Sequence, residues 1–99
     1  MIEALNREIR VCNNYIRAIN RAKTKLQSAF NNLDPICDLS GKFTIDGIGA
    51  DNNEIRAQQD RITETISYMD RTISRVNSRI ATLRRRIAEE EAKLAAIIV

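Results

Sequence analysis

The feature that most constrains this chain is a heptad spacing of apolar residues, which runs through two long segments. In the first segment, residues 2–33, apolar side chains recur at alternating intervals of three and four residues, and Lys23 is the one break. The two rows are Ile2, Ile9, Ile16, Lys23 and Phe30, and Leu5, Cys12, Ile19, Leu26 and Leu33. This spacing keeps apolar side chains on one face of an α-helix, as in a coiled coil. The sequence therefore predicts a helix over residues 2–33.

The second segment, residues 52–98, carries the same pattern over about six heptads. Its rows are Gln59, Ile66, Ile73, Ile80, Ile87 and Leu94, and Ile55, Ile62, Met69, Val76, Leu83, Glu90 and Ile97. Only Gln59 and Glu90 are polar, and neither Pro nor Gly interrupts the stretch. We predict a second helix over residues 52–98, with Asp51 and Asn52 supplying its N-cap.

The segment between the helices, residues 34–51, holds the only proline, Pro35, and all three glycines. Because proline lacks the N–H that continues a helix, we expect Pro35 to end the first helix and residues 34–51 to form a loop. The predicted fold is all-α: one domain, residues 1–99, folded as an antiparallel, coiled-coil-like two-helix hairpin. Such a hairpin buries little and is marginal alone, so we expect a partner to complete a three- or four-helix bundle.

Two registers of this hairpin fit the apolar pattern. Pairs whose residue numbers sum to 85, such as Ile2 with Leu83, bring the rows together, and a slip of one heptad, to a sum of 92, stays open. In the first register Gln59 lies beside Leu26, and Lys23 and Gln59 could share a hydrated layer that fixes the register. The alternative is that Lys23 directs its ammonium group outward to solvent.

We call the two heptad rows of each helix its seam. The apolar face of the first helix is wider than a seam packed against one neighbouring helix requires. Together with the seam, its additional apolar residues span about 160°. These residues are Ala4, Val11, Tyr15, Ala18, Ala22 and Ala29. In the register of 85 the second helix also runs about three turns past the start of the first, which leaves Leu94, Ile97 and Ile98 uncovered. Exposed apolar clusters usually mark interfaces, so we predict that both sets bind a partner, although the alanines could simply be good helix formers.

The composition argues against catalysis. The chain contains no His, which excludes a His general base, a Ser-His-Asp triad and a His metal ligand. Its aspartates lack the spacing of an EF-hand, and no glycine-rich phosphate loop is present. Cys12 and Cys37 lie too far apart along the predicted helix to form a disulfide, and we interpret Cys12 as a small buried apolar residue. We expect no enzymatic activity, no cofactor and no metal.

The charges are mixed, with 16 Lys and Arg against 13 Asp and Glu and a net charge of +3. The run Arg84–Arg86 precedes Glu89–Glu91, a spacing that predicts the helical ion pairs Arg85–Glu89 and Arg86–Glu90. Aromatic residues make up only 4% of the chain, so nucleic-acid binding is the minority interpretation. No stretch has the apolar character of a signal peptide or of a membrane span. We therefore expect a cytoplasmic protein without membrane insertion, which could be exported with a partner.

Two short motifs lie around the predicted turn. Leu39-Ser40-Gly41 stands where a Trp-x-Gly turn has Trp and Gly, with Leu39 in place of Trp, and Phe30 and Asp34 form a Phe-x-x-x-Asp pattern. With these motifs, the short helical hairpin resembles the WXG-type proteins of type VII secretion. It looks most like the small helical accessory proteins encoded beside LXG toxins in Gram-positive bacteria. The Tyr-x-x-x-Asp/Glu export signal of the wider family is absent, since Thr72 follows Tyr68 by four residues.

This resemblance implies a function in binding rather than in catalysis. It implies an adaptor or chaperone that binds the helical N-terminal domain of a toxin, with a second small helical accessory protein as a further partner, and helps to target the toxin for export. It also implies that Leu39 and Gly41 belong to a turn motif and that Phe30 and Asp34 form a targeting motif. The alternative is a self-assembling structural coiled coil, in which a homodimer forms a four-helix bundle.

Overall fold

The chain forms two long helices. A computed structural model describes the backbone of residues 1–40 and 48–98 and the side chains of residues 1–36 and 53–97. Helix α1 spans Ile2–Ser40 and helix α2 spans Ile48–Ile98, and the described residues contain no strand. The helices are antiparallel, because Lys23 contacts Asp70 and Asp34, later in α1, contacts Gln59, earlier in α2. The predicted all-α helical hairpin is confirmed.

Helix α1 extends further than the sequence predicts, and Pro35 lies inside it instead of ending it. The backbone φ angle of proline is that of a helix, so its cost is the lost hydrogen bond to the carbonyl of Asn31 and local crowding. Immediately before it, Asp34 accepts hydrogen bonds from Gln59 and Arg56 of α2. These contacts hold α1 against α2 immediately before the proline, and the helix continues beyond it to Ser40.

The predicted start of the second helix is also wrong. Helix α2 begins at Ile48, so the backbone of Asp51 and Asn52 is already helical and these residues do not form the N-cap. Gly49 is an ordinary loop signal, but one glycine costs a helix only about 1 kcal/mol, which a long helix tolerates. The predicted loop over residues 34–51 is therefore helical at both of its ends. Of the predicted turn motif, the backbone of Leu39 lies within α1, so its assignment to a turn is wrong, and Gly41 lies outside the described residues.

The packing divides the chain into two compact units, which we describe separately. The terminal unit consists of Met1–Ile19 and Arg71–Val99, and the central unit consists of Asn20–Asp70. Each unit pairs a segment of α1 with a segment of α2.

The terminal unit has a narrow apolar core. Leu5, Ile80 and Leu83 are its buried apolar side chains, and Leu83 is fully enclosed, with 0% of its surface exposed. The other seam residues of this unit that the structure describes are only half-buried, apart from two exposed ones near the end of α2. Cys12 is a free thiol and is half-buried, so it is less enclosed than predicted.

The central unit has a polar residue at its centre. Gln59 is 2% exposed and is the most buried of its described residues, whereas the apolar seam residues around it are half-buried. They are Leu26, Phe30, Leu33, Ile55, Ile62, Ile66 and Met69. Neither unit therefore encloses its apolar seam completely.

Candidate partner-binding surface

Four of the residues predicted to bind a partner lie on α1 of the terminal unit, and all four are exposed. Val11 is 62% exposed and Tyr15 is 52% exposed, and Ala4 and Ala18 flank them. Apolar side chains gain free energy when they leave water, and a large apolar side chain contributes about 1.5–3 kcal/mol when fully buried. Val11 and Tyr15 would therefore contribute most of the free energy that is gained when a partner buries this surface.

Val11 and Tyr15 lie on the same side of the terminal unit as an ion pair that joins α1 to α2. The guanidinium of Arg79 on α2 donates two hydrogen bonds to Glu8 Oε1 on α1, at 2.8 and 3.2 Å. Val11 and Tyr15 follow Glu8 by three and seven residues, so they lie within about 60° of it around the helix. We call this side, with Glu8, Arg79, Val11 and Tyr15, the Glu8 side.

The apolar seam residues of α2 become more exposed to solvent towards the C-terminus of the helix. Leu83 is fully buried and Ile87 is half-buried, but Leu94 is 52% exposed and Ile97 is 79% exposed. The side chain of Ile98 lies outside the described residues. The end of α2 therefore presents a second apolar surface in the same unit.

The two remaining predicted residues of α1, Ala22 and Ala29, belong to the central unit. Ala22 is half-buried and Ala29 is exposed. Because an alanine offers only a methyl group, these positions add little apolar area of their own.

The predicted targeting residues Phe30 and Asp34 are engaged within the central unit. Gln59 donates one amide hydrogen bond to the backbone carbonyl of Phe30, at 3.1 Å, and another to Asp34 Oδ1, at 2.7 Å. Arg56 donates to Gln59 Oε1 at 3.0 Å and lies 3.4 Å from Asp34 Oδ1. The hydrogen-bonding groups of the buried Gln59 amide are thus all paired. The residue numbers of Gln59 and Asp34 sum to 93, as do those of Lys23 and Asp70, so the central unit follows the register of 92 and not that of 85.

Lys23, the polar break in the first helix, is directed outward. Its Nζ atom lies 2.6 Å from Asp70 Oδ1, and both side chains of this ion pair are partly exposed to solvent. Of the two interpretations of Lys23, the structure agrees with the outward one, and Gln59 bonds instead with Asp34.

This network predicts a measurable coupling between Asp34 and Gln59. Replacing Asp34 by alanine leaves a buried amide N–H of Gln59 without its partner, which is expected to lower the free energy of unfolding by about 1–3 kcal/mol. In the Gln59→Leu background the same change should cost much less. A double-mutant cycle, followed by chemical denaturation, should give a coupling of about 1 kcal/mol or more.

The solvent-accessible ion pair between Lys23 and Asp70 provides the control for that cycle. Lys23→Ala should lower the free energy of unfolding by less than about 1 kcal/mol, because solvent screens the pair with Asp70. Equal effects of Asp34→Ala in both backgrounds would mean that the Gln59 network contributes nothing to stability.

The predicted ion pairs of the arginine run do not form. Glu90 pairs with Lys93, at 3.3 Å, and no carboxylate among the described residues lies within ion-pair distance of Arg84, Arg85 or Arg86. Helical spacing permits such pairs, but exposed long side chains gain too little from them to be fixed. These arginines therefore keep their charge available on the surface.

The central unit also has an open groove of about 500 Å³. Phe30 and Ile66 form its apolar part, and its other lining residues are Gln27, Asn31, Thr63 and Ser67. None of these side chains is ionisable, so the groove has no group for acid–base chemistry.

The described part of the chain has neither a metal-binding cluster nor a membrane-spanning helix. It contains no cluster of three or more His, Cys, Asp or Glu side chains arranged to hold a metal ion. Neither helix, over its described residues, has the length and apolar character needed to cross a membrane.

Comparisons with protein-family models, with curated proteins and with solved structures find no match to this chain.

Proposed function

We propose that this chain is a non-enzymatic helical adaptor that binds a larger helical protein and completes a helical bundle with it. The observation that best supports this is the incomplete cover of the apolar seam. In the terminal unit only Leu5, Ile80 and Leu83 are buried among the described apolar residues, while most other seam residues remain partly open to solvent. A partner helix would remove that surface from water, which is the main favourable term in helix association.

The binding surface in this proposal is the Glu8 side of the terminal unit, together with the apolar end of α2. Val11 and Tyr15 would supply the anchoring contacts, since a few large side chains dominate the energetics of interfaces. Leu94 and Ile97 would extend the contact. The alanines would allow a close approach of the partner helix without adding much energy.

A narrower proposal concerns the partner. The resemblance carried by Leu39-Ser40-Gly41 and by Phe30 and Asp34 supports the helical N-terminal region of an LXG-like toxin of type VII secretion. In this proposal the chain acts in the cytoplasm as a chaperone, helps to target the toxin and leaves the cell only in complex with it. A second small helical accessory protein would be a further partner.

The second candidate function is self-assembly into a homodimeric four-helix bundle. The half-covered seam favours it as well, because a second copy would cover the same residues. A two-fold dimer uses one patch twice, and the apolar end of α2, with Leu94 and Ile97, could supply such a patch.

Affinity capture from native lysate distinguishes these functions. The tagged chain would be recovered in the presence of nuclease, and the mass and composition of the complex would be measured. The adaptor proposal expects a larger helical protein in a fixed ratio to the chain. Recovery of the chain alone, at a discrete multiple of 11.3 kDa, would contradict that proposal and support the homodimer.

A further inference from the structure

The two units differ in charge. The terminal unit contains ten Lys or Arg against five Asp or Glu, a net charge of +5, whereas the central unit contains six against eight, a net charge of −2. The basic excess is concentrated in α2, where residues 71–88 include six arginines and no acidic residue. The small net charge of the whole chain hides this local excess.

Part of the excess lies beside the apolar residues of the Glu8 side. Arg75 precedes Arg79 by four residues and Arg86 follows it by seven, so both lie within about 40° of Arg79 around α2. Arg75 is level with Val11 and Tyr15, whereas Arg86 lies about 15 Å from Val11 along the helices, towards the start of α1. Arg79 itself is engaged with Glu8 of α1. Arg75 and Arg86 are exposed and form no ion pair with any residue that the structure describes. This side therefore carries Val11 and Tyr15 on α1 and two guanidinium groups available for pairing on α2.

We propose that the Glu8 side of the terminal unit binds an amphipathic helix that has acidic residues along the flank of its apolar face. This inference rests on the proposed function and specifies the chemistry of the partner. The apolar face of that helix would cover Val11 and Tyr15, and its carboxylates would pair with Arg75 and Arg86. Arginine suits such pairs, because its planar guanidinium binds a carboxylate with two parallel hydrogen bonds.

The mixture of groups favours a helix over a nucleic acid. A phosphate backbone would use the arginines but would leave the exposed Val11 side chain without an apolar surface to contact. An acidic amphipathic helix satisfies both kinds of group at once, and its complementary charge also speeds the encounter and selects against basic helices.

Two designed peptides test this inference on the full chain. Each has about 21 residues, or three heptads, with the same Leu and Ala apolar face, and the flanks carry either Glu or Lys. We expect the Glu peptide to bind at least about fivefold more tightly than the Lys peptide in fluorescence anisotropy, with a preference that declines as salt is added. Equal affinities, or no binding of either peptide, would overturn the inference.

Charge reversal identifies the arginines involved. Arg75→Glu with Arg86→Glu should reverse the preference, so that the Lys peptide binds more tightly. The matched control is Arg84→Glu with Arg85→Glu, which changes the net charge equally at positions more than about 100° from Arg79. This control should keep the preference for the Glu peptide, and a similar effect of both double variants would contradict the proposed site.

Two further outcomes separate this inference from the proposed function. A short DNA duplex that displaces the Glu peptide and binds more tightly would show that the arginines bind phosphate, which overturns the inference. If the peptides show no preference while native capture still recovers a larger helical protein, the adaptor function stands and only the acidic character of its partner is wrong.

Discussion

Leu83→Ala is expected to destabilise the protein more than any other single apolar truncation in the terminal unit. Leu83 is fully enclosed, so the change removes its burial energy and leaves a cavity, and such changes cost about 2–5 kcal/mol. We expect a loss of about 3 kcal/mol in the free energy of unfolding. At about 5 °C per kcal/mol, this lowers the Tm by about 15 °C, which circular dichroism can follow.

Leu94→Ala is the matched control, because it makes the same truncation on the same helix at a side chain that is 52% exposed. We expect its effect on the free energy of unfolding to lie within about 0.5 kcal/mol. If the two variants were equally stable, Leu83 would not lie in the core and the burial pattern of the terminal unit would be wrong.

Val11→Glu combined with Tyr15→Glu is expected to weaken partner binding strongly while leaving the fold intact. Both side chains are exposed in the chain itself, so the change costs little stability. In the complex it would bury two carboxylates without partners, which should weaken binding by at least about 100-fold. Affinity for the captured partner, measured by calorimetry alongside helicity, checks this expectation.

Asn6→Glu with Asn13→Glu adds the same charge on the other side of α1, more than about 130° around the helix from Val11 and Tyr15. Asn6 is exposed and Asn13 is half-buried. This control should bind within about threefold of the original chain, because charges outside the buried part of an interface change affinity little. Loss of binding in both double variants would mean that added charge, rather than this surface, is responsible.

The heptad pattern predicts the helical hairpin because a three-four spacing sustained over such long segments is typical of packed helices and not of strands or loops. It also singles out Lys23 and Gln59 as the polar breaks near the turn. The helix ends are predicted less well. Pro35 and Gly49 are ordinary loop signals, but both lie inside helices, where a proline costs about 3 kcal/mol and a glycine about 1 kcal/mol, which long, packed helices can offset by tertiary contacts.

The partner of Gln59 could not be predicted, because the proline signal puts Asp34 in a loop. Once α1 continues through Pro35, the carboxylate of Asp34 is held at the level of Gln59, and the two form a hydrogen bond. The predicted arginine–glutamate pairs failed for a different reason. Sequence spacing gives only the possibility of an ion pair, whereas solvent competition decides whether an exposed pair forms.

Site-specific photo-crosslinking from position 15 tests the central claim most directly. Tyr15 is replaced by a photoreactive phenylalanine analogue in the native host, with the exposed position of Asn6, about 180° away around α1, as the control. We expect an adduct between position 15 and one larger helical protein, and little or none from position 6. Adducts only between copies of the 11.3 kDa chain, or equal adducts from both positions, would contradict the claim that this surface binds a helical partner.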